Sequence, residues 1–471
     1  MSERVNALLA AVALGALASP VALGEPGRTA KGRSQERDWP ALQRLVEAER
    51  VRQAVPGMAL AVVELGRPTF TAEFGLADVA SGRPVTAETP FEVGSVTKPF
   101  TAALALSLVQ AGKLSLDRPL RGLAPEFAGA LAPLTLRQLL SHTGGVIDHP
   151  AETGEGTLAG YVGSLGPAEL PLPPGRAFSY SNPGYSVVGR AIEAATGESY
   201  EAAGRRRLLE PLGMKASALS LSPALRQVMA TGYAESKDGR LEPVVAGEDP
   251  RFRPAGTLVT TAADLARLAR ALLEGGRLDG KPVLPANLLE RMARPVVASP
   301  GLPGQAHYGL GLFREERAGT ELLWHDGTMN GYSASLWLVP RKGLAVVLLR
   351  NRTVDLDDLL DRVMAMLAGL SQRSPEGPGK ATPWPAEEAR EIVGTYHNRF
   401  DFEVVAGEGG PQISWFGERL PLERLSRDHC RFTAPRLPQP QELIAVRDAD
   451  GRLLGLQLYV WTFARVLRSP G

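Results

Sequence analysis

"EVGSVTKPFTAALALSLVQ", residues 92–110, sets a lysine three positions after a serine just where a long apolar helix begins. The chain has eight lysines, and Lys98 is the one with a serine at that spacing. Helical spacing of three puts Lys98 on the same face as Ser95, one turn above it. Gly94 permits a tight strand-to-helix entry. Pro99 is tolerated in a first turn, where its missing N–H has no helical acceptor. From Phe100 onward the helix is nearly all apolar, so most of its sides are expected to be buried. A lysine at such a start is costly without a partner or a task. Desolvation lowers an ammonium pKa and yields a neutral amine able to take a hydroxyl proton. The helix start also offers backbone N–H groups to an oxyanion. Alone, a Ser-x-x-Lys match arises by chance about once in a chain this long, and on those four residues the favoured reading is a helix cap followed by a surface lysine.

Around this stretch the pattern is mixed α/β. "PGMALAVVELGRPTFTAEFGLADV" reads as a hairpin turning at Gly66-Arg67-Pro68. Residues 97–280 are expected to be mostly helical. Thr135 caps "LRQLLSHTGG", with Gly144 suited to its end. "GYSVVGRAIEAATG" is an amphipathic helix closed by Gly197, and "TTAADLARLARALLEGG" carries Leu265, Leu268 and Leu272 on one face. Strands return in "ELLWHDG", "YSASLWLV" and "GLAVVLLRN", the last two joined by Pro340-Arg341-Lys342-Gly343, and a helix "DLDDLLDRVMAMLAGL" follows. Early and late strands are expected to pair in one antiparallel sheet flanked by helices. A Pro/Gly/Ser-rich linker, residues 371–385, then leads to short strands and turns that predict a separate small all-β domain over 386–471. Such a linker implies few contacts holding that domain in place.

Two further stretches bear on Ser95. "FSYSNPGYSVVG" sets Tyr180-Ser181-Asn182 just before a helix. A phenol beside Lys98 could relay a proton to a leaving group, and the Asn182 amide could hold a substrate carbonyl. In isolation the same residues are a turn Asn-Pro with a packing tyrosine. "LLWHDGTMNGYSA" sets His325-Asp326-Gly327-Thr328 at a strand end. Gly327 would let a substrate backbone approach, and the Thr328 N–H could be a second oxyanion donor. In isolation these are a hairpin glycine and a buried histidine.

Together the three stretches resemble the serine β-lactamase and penicillin-binding superfamily, nearest its branch of class C β-lactamases, D-alanyl-D-alanine carboxypeptidases, esterases and D-aminopeptidases. Its motifs Ser-x-x-Lys, Tyr-x-Asn and Lys/His-x-Gly stand here as Ser95-Val96-Thr97-Lys98, Tyr180-Ser181-Asn182 and His325-Asp326-Gly327. "LTLRQLLSHTGG", "PPGRAFSYSNPGY", "AGTLVTTAADLARL" and "YGLGL" extend the resemblance over residues 38–370. It implies an all-helical lobe beside a sheet-and-helix lobe over residues 39–370, with the site in the cleft between them. It also implies an acyl-enzyme on Ser95, with no metal and no organic cofactor. Ser95, Lys98, Tyr180 and His325 are then the catalytic candidates, with Asn182, Gly327 and Thr328 binding substrate or the oxyanion. His142 sits where the family often has a structural histidine. The glutamate that activates water in class A β-lactamases has no counterpart motif, so that task falls to Tyr180 and Lys98. The tail resembles the lipocalin-like domain that often follows such cores. β-Lactamases and carboxypeptidases usually have a lysine at the motif position that His325 fills. Histidine there is largely neutral at pH 7 and is expected to hydrogen-bond Tyr180 or substrate and to weaken the anchor for a substrate carboxylate.

The bulk numbers narrow the function. A net charge of +1 over 471 residues, with no long basic run, argues against nucleic acid as partner. One cysteine, Cys430, excludes an internal disulfide and a thiolate metal cage, and the six histidines lack zinc-ligand spacing. Residues 1–24 read as a cleavable secretory signal and 25–38 as a polar linker, which predicts a periplasmic or secreted protein without a membrane span in the mature chain. An uncleaved N-terminus would place it in the cytoplasm. The function expected is hydrolysis of an amide or ester: a D-amino-acid peptide, a β-lactam or a small ester. Two other readings stand beside it. One is an acyltransferase or peptide-cyclising thioesterase of the same superfamily. The other is a non-catalytic penicillin-binding-like module for cell-wall recognition.

Overall fold

The structure, a computed structural model, describes residues 37–148, 156–299, 306–354, 357–371, 379–435, 437 and 440–466. The expected signal segment, most of the linker after it and residues 372–378 of the second linker lie outside the described residues.

The core opens with helix α1 (Trp39–Arg52), capped by the Asp38 carboxylate, and the hairpin β1 (Gly57–Glu64) and β2 (Phe70–Asp78). Then come α2 (Thr97–Gln110), α3 (Leu136–Leu140), α4 (Asn182–Thr196) and α5 (Ala262–Leu273). The chain returns through β3 (Phe313–Arg317), β4 (Thr320–Met329), β5 (Tyr332–Val339), β6 (Leu344–Arg350) and α6 (Asp357–Ala368). These six strands lie in the order β3-β4-β5-β6-β1-β2, fully antiparallel, inside a sheet that shorter strands extend at both edges. β1 pairs with β6 from Met58↔Arg350 to Glu64↔Leu344, so the first and last strands of the core meet as expected.

Both faces of this sheet are covered, which is why its central strands read as near-continuous apolar runs. Ala59, Ala61 and Val63 face the helical lobe with Val347 and Leu349. Met58, Leu60 and Val62 face the other way with Leu348, Leu359 and Val363. The alternation is the strand's period of two. α5, capped by Thr261, lies against β1 and β6.

The C-terminal region is a second antiparallel sheet: β7 (Gly394–His397), β8 (Asp401–Gly407), β9 (Gly410–Trp415), β10 (Glu418–Pro421), β11 (Glu423–Ser426), β12 (His429–Phe432), β13 (Gln441–Arg447), β14 (Leu453–Leu458) and β15 (Trp461–Arg465). Its order runs β10-β9-β8-β7-β15-β14-β13-β12-β11. The two edge strands are joined through Leu422 alone, so the sheet curls into a nearly closed barrel. Linker residues Thr382 and Trp384 bond Arg424 O at 2.8 Å and Leu422 O at 2.7 Å beside that seam. Cys430 is buried in the barrel, and burial pushes its thiol up to about 12.

The expectation of few contacts between core and tail is not met. Barrel residues Tyr396, Phe402 and Phe463 share one apolar cluster with Phe178, Tyr180 and Trp324 of the core. Polar bonds tie the same surfaces together: Asn398 Nδ2 donates to Ser179 Oγ at 3.1 Å, Thr462 Oγ1 to Phe178 O at 2.6 Å, and Tyr180 N to Val460 O at 2.8 Å. A linker's composition sets its own stiffness and says nothing of the surfaces it joins.

Candidate active site

Ser95 sits in a 3₁₀ turn, Gly94–Val96, that feeds directly into α2. Gly94 has φ +51°, and a Cβ there would meet the Thr328 backbone at about 3 Å. Thr97 locks the turn: its hydroxyl donates to Gly94 O at 2.7 Å and accepts from Leu258 N at 3.0 Å. β4 closes on the other side. A Cβ on Gly327 would fall 2.0 Å from Val93 O and 2.8 Å from the Ser95 nitrogen. Glycine at 94 and 327 therefore lets the end of β4 lie against the Ser95 turn, with Thr328 beside it.

Lys98 is fully buried in the first turn of α2. Its Nζ donates to Ser95 Oγ at 3.0 Å, Asn182 Oδ1 at 2.7 Å and Ala255 O at 2.9 Å, and lies 4.6 Å from the centre of the Tyr180 ring. Burial pushes the ammonium down to about 7, against a partial upward pull from Asp148. That displacement is worth roughly 5 kcal/mol against the charged form. A neutral amine keeps two N–H donors for Asn182 and Ala255 and turns its lone pair to Ser95.

Asn182 begins α4, which Ser181 caps by accepting from Gly184 N. Its amide is already committed: Oδ1 to Lys98, and Nδ2 to Asp148 Oδ1 at 3.0 Å. Tyr180 is buried, and its phenol is engaged with Ser95. Burial holds that phenol well above its usual value, only partly opposed by Ser95. It therefore stays protonated and able to donate.

His325 is held on both sides of its ring. Its Nδ1 is 2.7 Å from Asp326 O, which can only accept, so Nδ1 carries the proton. Nε2 then accepts from Tyr308 Oη at 3.1 Å. The ring is 1 % exposed, and burial, with Lys98 nearby, pushes it down to about 3. Both nitrogens are used, and of the two expected partners, Tyr180 or substrate, Tyr180 is not bonded. The two ring centres are 6.3 Å apart.

α3 corrects a second detail. Its capping box, Thr135 with Gln138, is present, but the helix stops at Leu140 rather than near Gly144. Ser141 and Thr143 bond back to carbonyls of the last turn. His142 then takes φ +58°, and its ring lies 4.3 Å from that of Tyr180, with Nδ1 accepting from Ser181 N at 3.0 Å.

Ser95, Asn182 and Thr328 open onto a cleft of about 490 Å³, lined also by Asp148, Phe252, Met329 and Arg399. Asp148 and Arg399 carry no sequence signal that sets them apart. Arg399 comes from the barrel, 251 positions from the carboxylate it pairs with. Among the described residues no group of His, Cys, Asp and Glu gathers as metal ligands, and no helix is long and apolar enough to cross a membrane.

A beta-lactamase family model matches residues 42–370, the span that builds this site. The chain belongs to the beta-lactamase family. This beta-lactamase-family chain is 34% identical to penicillin-binding protein 4 from Amycolatopsis lactamdurans over 372 residues, 75% of this chain and 96% of that protein. The crystal structure of SurE matches with a TM-score of 0.79 at 30% identity, over 91% of this chain and 99% of that one. SurE with D-Leu matches over the same shares with a TM-score of 0.77. A class C beta-lactamase, 24% identical, shares the fold with a TM-score of 0.60 over 70% of this chain and 96% of its own. Membership of the beta-lactamase family supports serine hydrolase-type activity in general.

Proposed function

We propose that the protein is a serine hydrolase that forms an acyl-enzyme on Ser95 and hydrolyses an amide or ester. One observation carries the reading: a fully buried Lys98 amine bonded to Ser95 Oγ at 3.0 Å and brought to about 7 by burial. The neutral amine takes the Ser95 proton as Oγ attacks the substrate carbonyl. The Ser95 and Thr328 N–H groups receive the oxyanion that forms. As the tetrahedral intermediate collapses, the Tyr180 phenol protonates the leaving group and recovers its proton from Lys98. Water then attacks the acyl carbonyl, giving its proton to the same pair. Ser95 leaves with a proton, and the acid product is released.

The chemistry of the cleft is compatible with D-amino-acid peptides, small esters and β-lactams. SurE, which is similar over 91% of this chain and was solved with D-Leu, favours a substrate that carries a D-amino acid. Acyl transfer is the second reading. It is favoured by the His-x-Gly motif together with the tail, which peptide-cyclising thioesterases of the superfamily also carry. Export to the periplasm or medium goes with the apolar leader at 1–24, and N-terminal sequencing of the protein recovered outside the cytoplasm tests it.

The test of function is a panel of p-nitrophenyl esters, D-aminoacyl anilides, D-Ala-D-Ala peptides and a chromogenic cephalosporin. Ser95→Ala is the control, and mass spectrometry follows trapped adducts. Turnover of an ester or D-aminoacyl substrate that vanishes in Ser95→Ala supports the reading. No turnover and no adduct with any member of the panel sinks it in favour of a recognition module.

A further inference from the structure

Lys98 is connected to the barrel by an unbroken polar chain. Nζ donates to Asn182 Oδ1 at 2.7 Å, and Asn182 gives both its side-chain and backbone N–H to Asp148 Oδ1, at 3.0 and 2.9 Å. The other carboxylate oxygen of Asp148 faces the barrel. It accepts from Arg399 Nη1 at 2.8 Å and from Trp461 Nε1 at 3.2 Å. The Asp148 backbone N–H donates to Asn398 Oδ1 at 3.1 Å. The Asp148 side chain is 3% exposed and that of Arg399 30%. Arg399 lies over the Trp461 ring, 5.5 Å from its centre, and opens onto the same cleft as Ser95.

We propose that the barrel sets the proton affinity of Lys98: Arg399 neutralises Asp148, and Asp148 acts on Lys98 through the Asn182 amide. Asp148 is a positioning residue here, and Arg399 is its charge partner. This rests on the reading of Ser95 and Lys98 as the acylating pair.

The surroundings of Lys98 leave that ion pair as the adjustable charge. Tyr180, Tyr185 and Tyr308 are buried phenols held above their usual range, so they stay neutral. His142 and His325 are buried imidazoles held below theirs, so they stay neutral too. Across the cleft Asp249 is paired with Arg251, and Glu248 with Arg253. Removing Asp148's charge takes away the pull that holds a proton on Lys98, and leaves Arg399 to repel it. Removing Arg399's charge does the reverse, because the carboxylate is left unneutralised one amide away from Nζ. The two lesions therefore push in opposite directions. A residue that served only to hold the fold would give no such sign reversal.

The experiment measures the rate at which an uncharged fluorophosphonate labels Ser95 as a function of pH, in the full-length chain. The parent is compared with Asp148→Asn, Arg399→Gln, Arg399→Lys and the double variant Asp148→Asn/Arg399→Gln. The rate rises with pH as Lys98 loses its proton. That limb should move down by about one pH unit in Asp148→Asn and up by about one in Arg399→Gln, the order expected of one charge at this range. It should lie within a few tenths of the parent in Arg399→Lys and in the double variant. Shifts of the same sign, or a limb that stays put in Arg399→Gln, overturn the proposal. Arg399 is part-exposed, so if Asp148→Asn does not fold, the up-shift in Arg399→Gln and its absence in Arg399→Lys decide the matter. A parent that labels at a residue other than Ser95 refutes the hydrolase reading instead, and that outcome is distinct.

Discussion

Gly327→Ala puts a single methyl group where the structure has no room for it. The added Cβ falls 2.0 Å from Val93 O and 2.8 Å from the nitrogens of Ser95 and Val96. Carbon makes ordinary contact at about 3.5 Å, so β4 must retreat from Val93 by roughly 1.5 Å. All three obstructing atoms are backbone, and no rotamer change relieves the clash. Gly327 is not among the residues with positive φ, so the effect is steric rather than conformational. The displaced segment carries Thr328, whose N–H is the proposed second oxyanion donor. A shift of about 1 Å at a reacting centre costs on the order of 10²-fold, and loss of one oxyanion donor 10²–10³-fold. We expect ester turnover to fall 10²–10³-fold in kcat, with KM changed far less and the circular dichroism spectrum retained. The assay is p-nitrophenyl ester hydrolysis with burst kinetics, beside a thermal melt. A folded Gly327→Ala enzyme within threefold of the parent rate would refute the placement of β4 as part of the site.

Three further expectations follow from the same structure. Activity should rise with pH through a limb near 7, because Lys98 must be neutral to accept the Ser95 proton, and Lys98→Met should lose the limb together with most of the rate. Chains ending at Leu370 should fail to melt cooperatively, since Phe178, Tyr180 and Trp324 lose the barrel half of their apolar cluster; a well-folded, active core would show the tail to be dispensable. Burial raises Glu92 to about 7, so the folded state holds a proton that the unfolded state releases from about 4.5. Stability from this group is complete below that pH and is lost as pH rises towards 7 and beyond, by roughly 3 kcal/mol, and urea melts of Glu92→Gln should show a flatter pH dependence with higher stability at pH 8.

The residues that do chemistry in this account announce themselves because local pattern and motif coincide. Ser95, Lys98, Tyr180 and Asn182 sit at helix starts, where capping and turn residues mark the chain, and the structure brings all four together. The sheet was legible for a similar reason: strands with a period of two, bounded by Gly and Pro, pair as the hairpin and the late strands suggest. Long-range polar pairing was not. Asp148 follows an ordinary glycine turn, and its partner Arg399 belongs to a domain that the linker composition described as loosely attached. His325 shows the same limit at short range. Its motif position was plain, but which nitrogen faces which group depends on Tyr308, 17 positions away across the sheet. Nor could the early end of α3 be read, because it depends on Ser141 and Thr143 hydroxyls turning back on the helix, an alternative that Ser and Thr always offer.

Peptide mapping of the adduct left by a fluorophosphonate decides whether Ser95 is the nucleophile and Lys98 its base. One adduct per chain is expected, on Ser95, absent in Ser95→Ala and formed far more slowly in Lys98→Met. Labelling at another residue, or equal labelling of Ser95→Ala, would contradict it.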